Sequence, residues 1–330
     1  MPRLSWSAVA GAGWNGSVVV GVPIDSLGRP GGTESAPRAL REAGVVDALG
    51  ARDAGDLPVR IVGEARDPAS GIVGYETVVA ASEGIRDGLA SVVEGCSARP
   101  VVLGGCCTLV PAAIAALARS DRSPIGLAYL DGHMDTYDPR TSPTGEAADL
   151  PVATCVGLGD ERLTSLGPDR PLVAPGAVAL LAHRDRAEAE GHGAAMPEDL
   201  GIAHSLDAGQ VRAAGPGRAG DAAAKALADG PGRWWLAIDV DVLSTGSFPA
   251  TPAQQPGGLD VDELVELARP LAAHPGCAGL SIQCYDPDLD DARHSGAATV
   301  AEILRRTTAP DRGRVTSRTR PRATPGSPSP

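Results

Sequence analysis

The sequence predicts an α/β fold in which a mostly parallel sheet lies between two layers of helices. Short apolar runs, typical of buried strands, alternate with longer amphipathic stretches along most of the chain. This alternation favours parallel strands, because a crossover helix returns the chain to the same edge of the sheet. The 330 residues, 43% of them hydrophobic, are enough to bury a sizeable core.

The predicted elements follow one another in a regular order. Ser35 can cap the amino terminus of the first helix, and Asp260 begins a later one. The predicted strands are 17–22, 60–63, 101–103, 126–130, 177–181, 234–239 and 278–283. The predicted helices are 37–49, 74–93, 109–119, 260–272 and 297–306. Residues 187–232 are rich in Gly, Ala and charge, and we expect one or two short surface helices there.

Three long loops rich in Gly and Pro each follow a predicted strand, and they comprise residues 23–34, 134–149 and 242–258. Open α/β sheets bind ligands at the carboxyl ends of their strands, where such loops lie. We therefore expect the three loops to rim one functional site.

Two clusters of metal-binding residue types follow predicted strands. Asp131, His133 and Asp135 alternate along the chain, and residues at such positions share one face of extended backbone. Asp239 and Asp241 repeat the arrangement about a hundred residues later. So many anionic groups around one point would repel one another without cations. The sequence therefore predicts two divalent metal ions.

Composition and charge argue against several other classes of protein. The net charge of −12 disfavours nucleic acid as a partner, and no apolar run approaches the roughly 18 residues that span a membrane. We see no signal peptide, and six cysteines do not make a disulfide framework. We expect a cytoplasmic protein without a nucleic-acid or membrane partner. The Arg/Pro/Ser-rich tail, 310–330, is expected to be disordered.

Four motifs in order resemble those of the arginase/agmatinase (ureohydrolase) family. They are the segment from Gly21 to Pro37, the Gly104–Thr108 segment, the Asp131–Asp135 motif, and the second Asp pair at Asp239–Leu243 with its loop. The resemblance extends from about residue 17 to 305. It implies a single arginase-like domain at 1–309 with a three-layer α/β/α fold and two Mn²⁺ ions. It also implies a trimer or hexamer and a small cationic guanidino substrate.

The resemblance implies a set of metal ligands with one change of type. Asp131, His133, Asp135, Asp239 and Asp241 match ligands of the family. The family's first His ligand is replaced by a cysteine, at Cys107. A thiolate there is softer than imidazole and shifts metal preference from Mn²⁺ toward Zn²⁺ or Fe²⁺. We also expect the amino terminus of the following helix to lower the pKa of this thiol.

The substrate positions depart further from the family. The residues that hold the α-carboxylate fall at Tyr137, Thr144 and Glu146, and the proton-shuttling His falls at Ala148. The Glu that faces the guanidinium falls at Cys284. The Asp that accepts the α-amino group falls at Ala187, and Asp149 replaces a Gly. The predicted substrate-binding residues are therefore Tyr137, Thr144, Glu146 and Cys284, and the predicted catalytic residues are Glu146, Asp149 and Asp135.

These departures leave three functions open. The first is hydrolysis of a C–N bond in a guanidino compound other than L-arginine, yielding urea and an amine. Glu146 and Asp149 would then bind a cationic substrate that lacks an α-carboxylate, or act as general acid and base. The second is hydrolysis of a hydroxyguanidine, because Cys107 and Gly132 resemble the family's hydroxyarginine-hydrolysing branch. The third is a degenerate family member that binds a ligand without turnover.

Overall fold

A computed structural model describes residues 13–95, 98–120 and 122–310, in which eight parallel strands form one sheet. In chain order the strands are β1 (Val18–Val22), β2 (Arg52–Asp56), β3 (Pro100–Gly104), β4 (Gly126–Leu130), β5 (Val178–His183), β6 (His204–Asp207), β7 (Trp234–Asp239) and β8 (Cys277–Gln283). Their order across the sheet is β2-β1-β3-β8-β7-β4-β5-β6. Every pairing is parallel, which confirms the predicted α/β class.

Helices cover both faces of this sheet. They are α1 (Ala36–Glu42), α2 (Val45–Ala48), α3 (Tyr75–Glu94), α4 (Val110–Ser120), α5 (Pro151–Cys155), α6 (Glu161–Thr164), α7 (Arg186–Gly191), α8 (Ala208–Ala214), α9 (Pro216–Asp229), α10 (Val261–Ala273) and α11 (Ser295–Thr308). Alternate strand residues enter two separate apolar cores, with α3 and α4 on one side and α8 to α11 on the other. The result is the predicted three-layer α/β/α arrangement.

The prediction of a strand at 60–63 is wrong. The strand in this region is β2, whose residues are exposed and polar. It lies at the sheet edge and pairs only with β1, so no apolar alternation marks it in the sequence. Arg41 holds it through Asp53, at 2.9 Å, and Asp56, at 2.5 Å.

The predicted helix at 37–49 is divided in two. Gly44 adopts a left-handed φ of 83° between α1 and α2, which a continuous helix excludes. The Ser35 side chain makes no capping hydrogen bond, because residues 32–35 form a 3-10 turn that runs directly into α1. The Asp260 prediction is confirmed: its side chain accepts the Glu263 amide at 2.8 Å.

The region 187–232 holds more structure than predicted. It contains α8, the 14-residue helix α9 and the edge strand β6, and α7 overlaps its start. β6 is half-buried and has the sequence HSLD, so it lacks the apolar run of a central strand. The short helices α5 and α6 were also not predicted. The predicted disordered tail lies outside the described residues except for Pro310.

No helix in the described part of the chain is long and apolar enough to cross a membrane. The carboxyl ends of the parallel strands meet at one edge of the sheet. The loops after β1, β4 and β7 lie there and contribute to a single cleft, as expected.

Candidate metal centre

The cleft at this edge has a volume of about 580 Å³. Loops after β1, β3, β4, β5, β7 and β8 line it. All six side chains predicted as metal ligands reach it, namely Cys107, Asp131, His133, Asp135, Asp239 and Asp241. The topology explains this convergence, because β3, β8, β7 and β4 are consecutive neighbours in the sheet.

Asp131, His133 and Asp241 form the first ligand cluster. Their ligand atoms all lie within 4.8 Å of one another. His133 Nδ1 is 2.9 Å from Asp241 Oδ2 and 3.5 Å from Asp131 Oδ1. The Gly132 amide donates to Asp241 Oδ1 at 2.9 Å, which ties the loop after β4 to the turn after β7.

Cys107, Asp239 and Cys284 form the second ligand cluster. One ligand atom of each lies within 4.8 Å of the other two, and all three side chains are buried. Asp239 Oδ1 accepts the Asp241 amide at 3.0 Å, whereas Asp239 Oδ2 has no hydrogen-bond partner. Cys284 was predicted as a substrate-binding residue, and its place among these ligand types was not predicted.

Asp135 lies in the same cleft but belongs to neither cluster. Its backbone has a left-handed φ of 51°, so the motif is not extended through this residue, but its side chain still reaches the cleft that Asp131 and His133 line. The Tyr129 hydroxyl donates to Asp135 Oδ2.

The electrostatics of these clusters fit the binding of cations. Burial and the neighbouring Asp241 raise the pKa of Asp131 to about 7, and burial with Asp241 and Asp131 raises that of Asp239 well above its usual range. Asp131 Oδ2 is buried and, like Asp239 Oδ2, has no hydrogen-bond partner. Buried carboxylate oxygens without partners are costly unless a cation compensates them. The donor set therefore suits divalent metal ions.

The prediction of a lowered pKa for Cys107 is wrong. Contact with the Cys284 thiol, burial and the nearby carboxylates of Asp135 and Asp239 raise its pKa. The thiol donates to the Ala148 carbonyl at 3.2 Å. Together these effects, the Cys284 contact and burial first, outweigh the short turn that begins at this residue.

Gly132 leaves room for the guanidinium of Arg184 beside the Asp131–Asp135 motif. A Cβ at this position would lie 2.5 Å from Arg184 Nη1 and 2.9 Å from the Asp241 carbonyl. The guanidinium donates to the carbonyls of Asp241, at 2.6 Å, and Gln255, at 2.9 Å. It thus braces the loop after β7, which carries part of the first cluster.

The predicted substrate-binding and catalytic residues also reach the cleft. Glu146 accepts the Ser26 hydroxyl at 2.6 Å, and burial raises its pKa. Asp149 accepts the hydroxyl of Thr144 at 2.7 Å. Tyr137 lines the wall, and burial raises the pKa of its hydroxyl to about 12.

Further charged residues of the cleft were not predicted from the sequence. They are Asp25, Arg29, Asp185, Glu188, Asp286 and Asp288. Asp25, Asp185 and Asp286 each follow the end of a strand by two or three residues, a signal that was available in the sequence. Asp185 also accepts the Met134 amide at 3.1 Å and so supports the Asp131–Asp135 motif.

Comparison with known proteins agrees with this geometry. The arginase family profile matches residues 15–309. The arginase of Bacillus caldovelox is 29% identical over 178 residues, which are 52% of this chain and 59% of that protein. The formimidoylglutamase of Halobacterium salinarum is 29% identical over 302 residues, 87% of each chain. The aligned segments span less than two thirds of the arginases from Bacillus caldovelox, Brevibacillus brevis and Bacillus subtilis.

Solved structures show the same fold. Bacillus caldovelox arginase superposes with a TM-score of 0.79 at 24% identity, covering 89% of this chain and 98% of that one. Formimidoylglutamase from Bacillus subtilis superposes with a TM-score of 0.69 at 21% identity, covering 90% and 87%. These superpositions establish that the chain shares the fold of both proteins. With the profile match over most of its length, the chain belongs to the arginase family, whose hydrolases act on C–N bonds of amidines.

Proposed function

We propose that this protein is a metal-dependent amidinohydrolase that cleaves a C–N bond of a cationic guanidino compound other than L-arginine, releasing urea and an amine. One observation carries the proposal: two clusters of metal-ligand side chains lie in one cleft with Asp135 and seven further carboxylates. Those seven are Asp25, Glu146, Asp149, Asp185, Glu188, Asp286 and Asp288.

The chain offers ligands for two divalent ions. Asp131, His133 and Asp241 would hold one, while Cys107 and Asp239 would hold the other. Asp135, in the same cleft, is available to either. Mn²⁺ suits the oxygen-rich donors, and the Cys107 sulfur brings Zn²⁺ and Fe²⁺ into competition. When bound, such ions supply Lewis acidity that activates water as a nucleophile at neutral pH.

The remaining steps fall to the protein's own side chains. Water oxygen bonds to the guanidinium carbon and loses both of its protons, the bond from that carbon to the alkylated nitrogen breaks, and this nitrogen takes up both protons and leaves as an ammonium group. Ala148 cannot move a proton, but Glu146 and Asp149, on either side of it, line the same wall. Burial raises the pKa of Glu146, which brings its proton transfer closer to neutral pH.

The charge of the cleft favours a substrate whose far end is cationic or neutral. Among the lining residues that the structure describes, seven carboxylates outside the proposed ligand set face the cleft, against one arginine, Arg29. A carboxylate on the substrate near Glu146 would be repelled. Guanidinobutylamine, arginine and guanidinobutanoate share a guanidinium and differ in this far end. We expect kcat/KM to be highest for the amine.

Replacing Glu146 by Gln is expected to lower kcat/KM for guanidinobutylamine by about 100-fold, the lower end of general acid–base effects. The measurement is urea release under saturating metal. Glu190→Gln, at an exposed site outside the cleft, serves as the matched control and should behave as wild type. Unchanged activity in the Glu146 variant would remove this residue from the proposal.

The products separate the alternatives. A hydroxyguanidine hydrolase would release hydroxyurea, and a degenerate binding protein would release neither urea nor hydroxyurea.

A second candidate substrate is an N-formimidoyl compound, which would release formamide. It is favoured by the formimidoylglutamase relative that aligns over 87% of the chain, and Arg29 could hold an acidic far end.

A further inference from the structure

Cys284 lies among metal-ligand side chains in a way that its sequence position did not indicate. Its sulfur, the Cys107 sulfur and a carboxylate oxygen of Asp239 lie within 4.8 Å of one another. Two sulfurs bound tetrahedrally to one zinc ion, each at about 2.3 Å, lie about 3.8 Å apart. The two thiols therefore need only small side-chain rotations to share an ion.

The backbone fixes Cys284 in this position. Its φ is +62°, a left-handed conformation that residues other than glycine rarely adopt. Its amide donates to the Gly105 carbonyl at 2.8 Å, which ties the end of β8 to the loop that carries Cys107. Such conformations persist where the surrounding structure holds them, and they are concentrated at functional sites.

A second observation concerns the burial of the same three side chains. Asp239 is 1% exposed, and its Oδ2 atom has no hydrogen-bond partner. Cys107 and Cys284 are also buried, at 5% and 7% exposed. A buried carboxylate oxygen beside two buried thiols is the donor set of a thiophilic metal site.

We propose that Cys284 is a metal ligand, which together with Cys107 and Asp239 forms a dithiolate–carboxylate site that prefers Zn²⁺ to Mn²⁺. Each thiol gives its proton to solvent on binding. The Asp131–His133–Asp241 cluster, with oxygen and nitrogen donors, keeps the preference for harder ions. The inference rests on the metal binding of the proposed function, and it changes the role of Cys284 from substrate contact to ligand.

Cobalt is the probe that reports this directly, because thiolate–cobalt charge transfer absorbs in the near ultraviolet. The metal-free full-length chain is titrated with Co²⁺ under a phosphine reductant without air. Wild type is compared with Cys107→Ser, Cys284→Ser and the control Cys277→Ser. Cys277 is a buried thiol at the opposite end of β8, outside the cleft.

We expect wild type and Cys277→Ser to show equal charge-transfer absorbance at saturation. Each of the other two serine variants should retain about half of it, because one of two thiolates is lost. Competition with a chromophoric chelator should show Zn²⁺ affinity falling on the order of 10-fold or more in Cys284→Ser. Circular dichroism verifies folding, and Cys284→Asp, which offers oxygen instead of sulfur, should bind metal with the reduced absorbance.

A folded Cys284→Ser protein with wild-type absorbance and zinc affinity would overturn the inference. Cobalt binding without any charge-transfer band would also overturn it. These failures are distinct from failure of the proposed function. Amidine hydrolysis without the band leaves the function standing, whereas the band without hydrolysis of any amidine leaves the metal site and removes the function.

Discussion

Replacing Asp241 by Ala is expected to abolish amidine hydrolysis and to weaken Mn²⁺ binding by more than about 100-fold, beyond the range typical of residues that only support a ligand. Asp241 is 3% exposed, and its Oδ2 lies 2.9 Å from His133 Nδ1. Its Oδ1 accepts the Gly132 amide. The substitution thus removes a ligand and loosens the loop that carries the other two.

Isothermal titration of the metal-free protein with Mn²⁺, together with a urea assay, measures both effects. Asp138→Asn is the matched control. Asp138 is a buried carboxylate near the same motif, but it accepts hydrogen bonds within its own turn and does not line the cleft. Wild-type Mn²⁺ affinity in Asp241→Ala would show that the first cluster is not a metal site.

Replacing Gly105 by Ala is expected to lower the free energy of unfolding by about 3 kcal/mol or more, the upper range for overpacking. A Cβ there would lie 1.8 Å from the Ile24 carbonyl oxygen, a backbone atom. The same residue donates its amide to Val22 and accepts the Cys284 amide. Relief of the clash would separate β1, β3 and the end of β8, where the second cluster lies.

Urea denaturation followed by circular dichroism gives the change in unfolding free energy. Gly176→Ala is the control, because Gly176 is exposed and a Cβ there meets no atom within 4 Å. Stability of Gly105→Ala within a few tenths of a kcal/mol of the control would contradict this packing. A Gly105→Ala protein that is as stable as the control but binds metal more weakly would show that the substitution disturbs only the second ligand cluster.

The central strands were predictable and the edges were not, for a physical reason. A strand such as β7 is buried on both faces, so its sequence, WWLAID, is a continuous apolar run. β2 and β6 each have one neighbour and less burial, and their sequences RDAGD and HSLD carry no such signal. Their existence follows from pairing with β1 and β5, which a local pattern does not contain.

The ligand types could also be predicted, although their grouping could not. Residue spacing placed Asp131 and His133 together, as the structure does. It did not indicate the left-handed φ of Asp135, a tertiary outcome that spacing does not encode, although this side chain reaches the same cleft. Cys284 was known only by alignment with a substrate position, and its approach to Cys107 depends on β3 and β8 being neighbours.

Most of the acidic residues that line the cleft lie outside the positions that the family motifs mark. Alignment placed the α-amino contact at Ala187, while the carboxylates of this segment that line the cleft are its neighbours Asp185 and Glu188. The residues after β1, β3, β4, β5, β7 and β8 lie around the cleft, since the carboxyl ends of all the parallel strands meet at one edge of the sheet. The cleft is consequently more anionic than the motifs alone indicated.

The central claim is that this arginase-family chain holds two divalent ions in one cleft. The most direct test is the metal content per chain by mass spectrometry, after purification without added metal and again after loading with Mn²⁺ and Zn²⁺ together. We expect close to two ions per chain in the loaded wild type, and about one in Asp241→Ala because one of two sites is removed. A loaded wild type with one ion or none would contradict the claim and favour a binding protein without hydrolase activity.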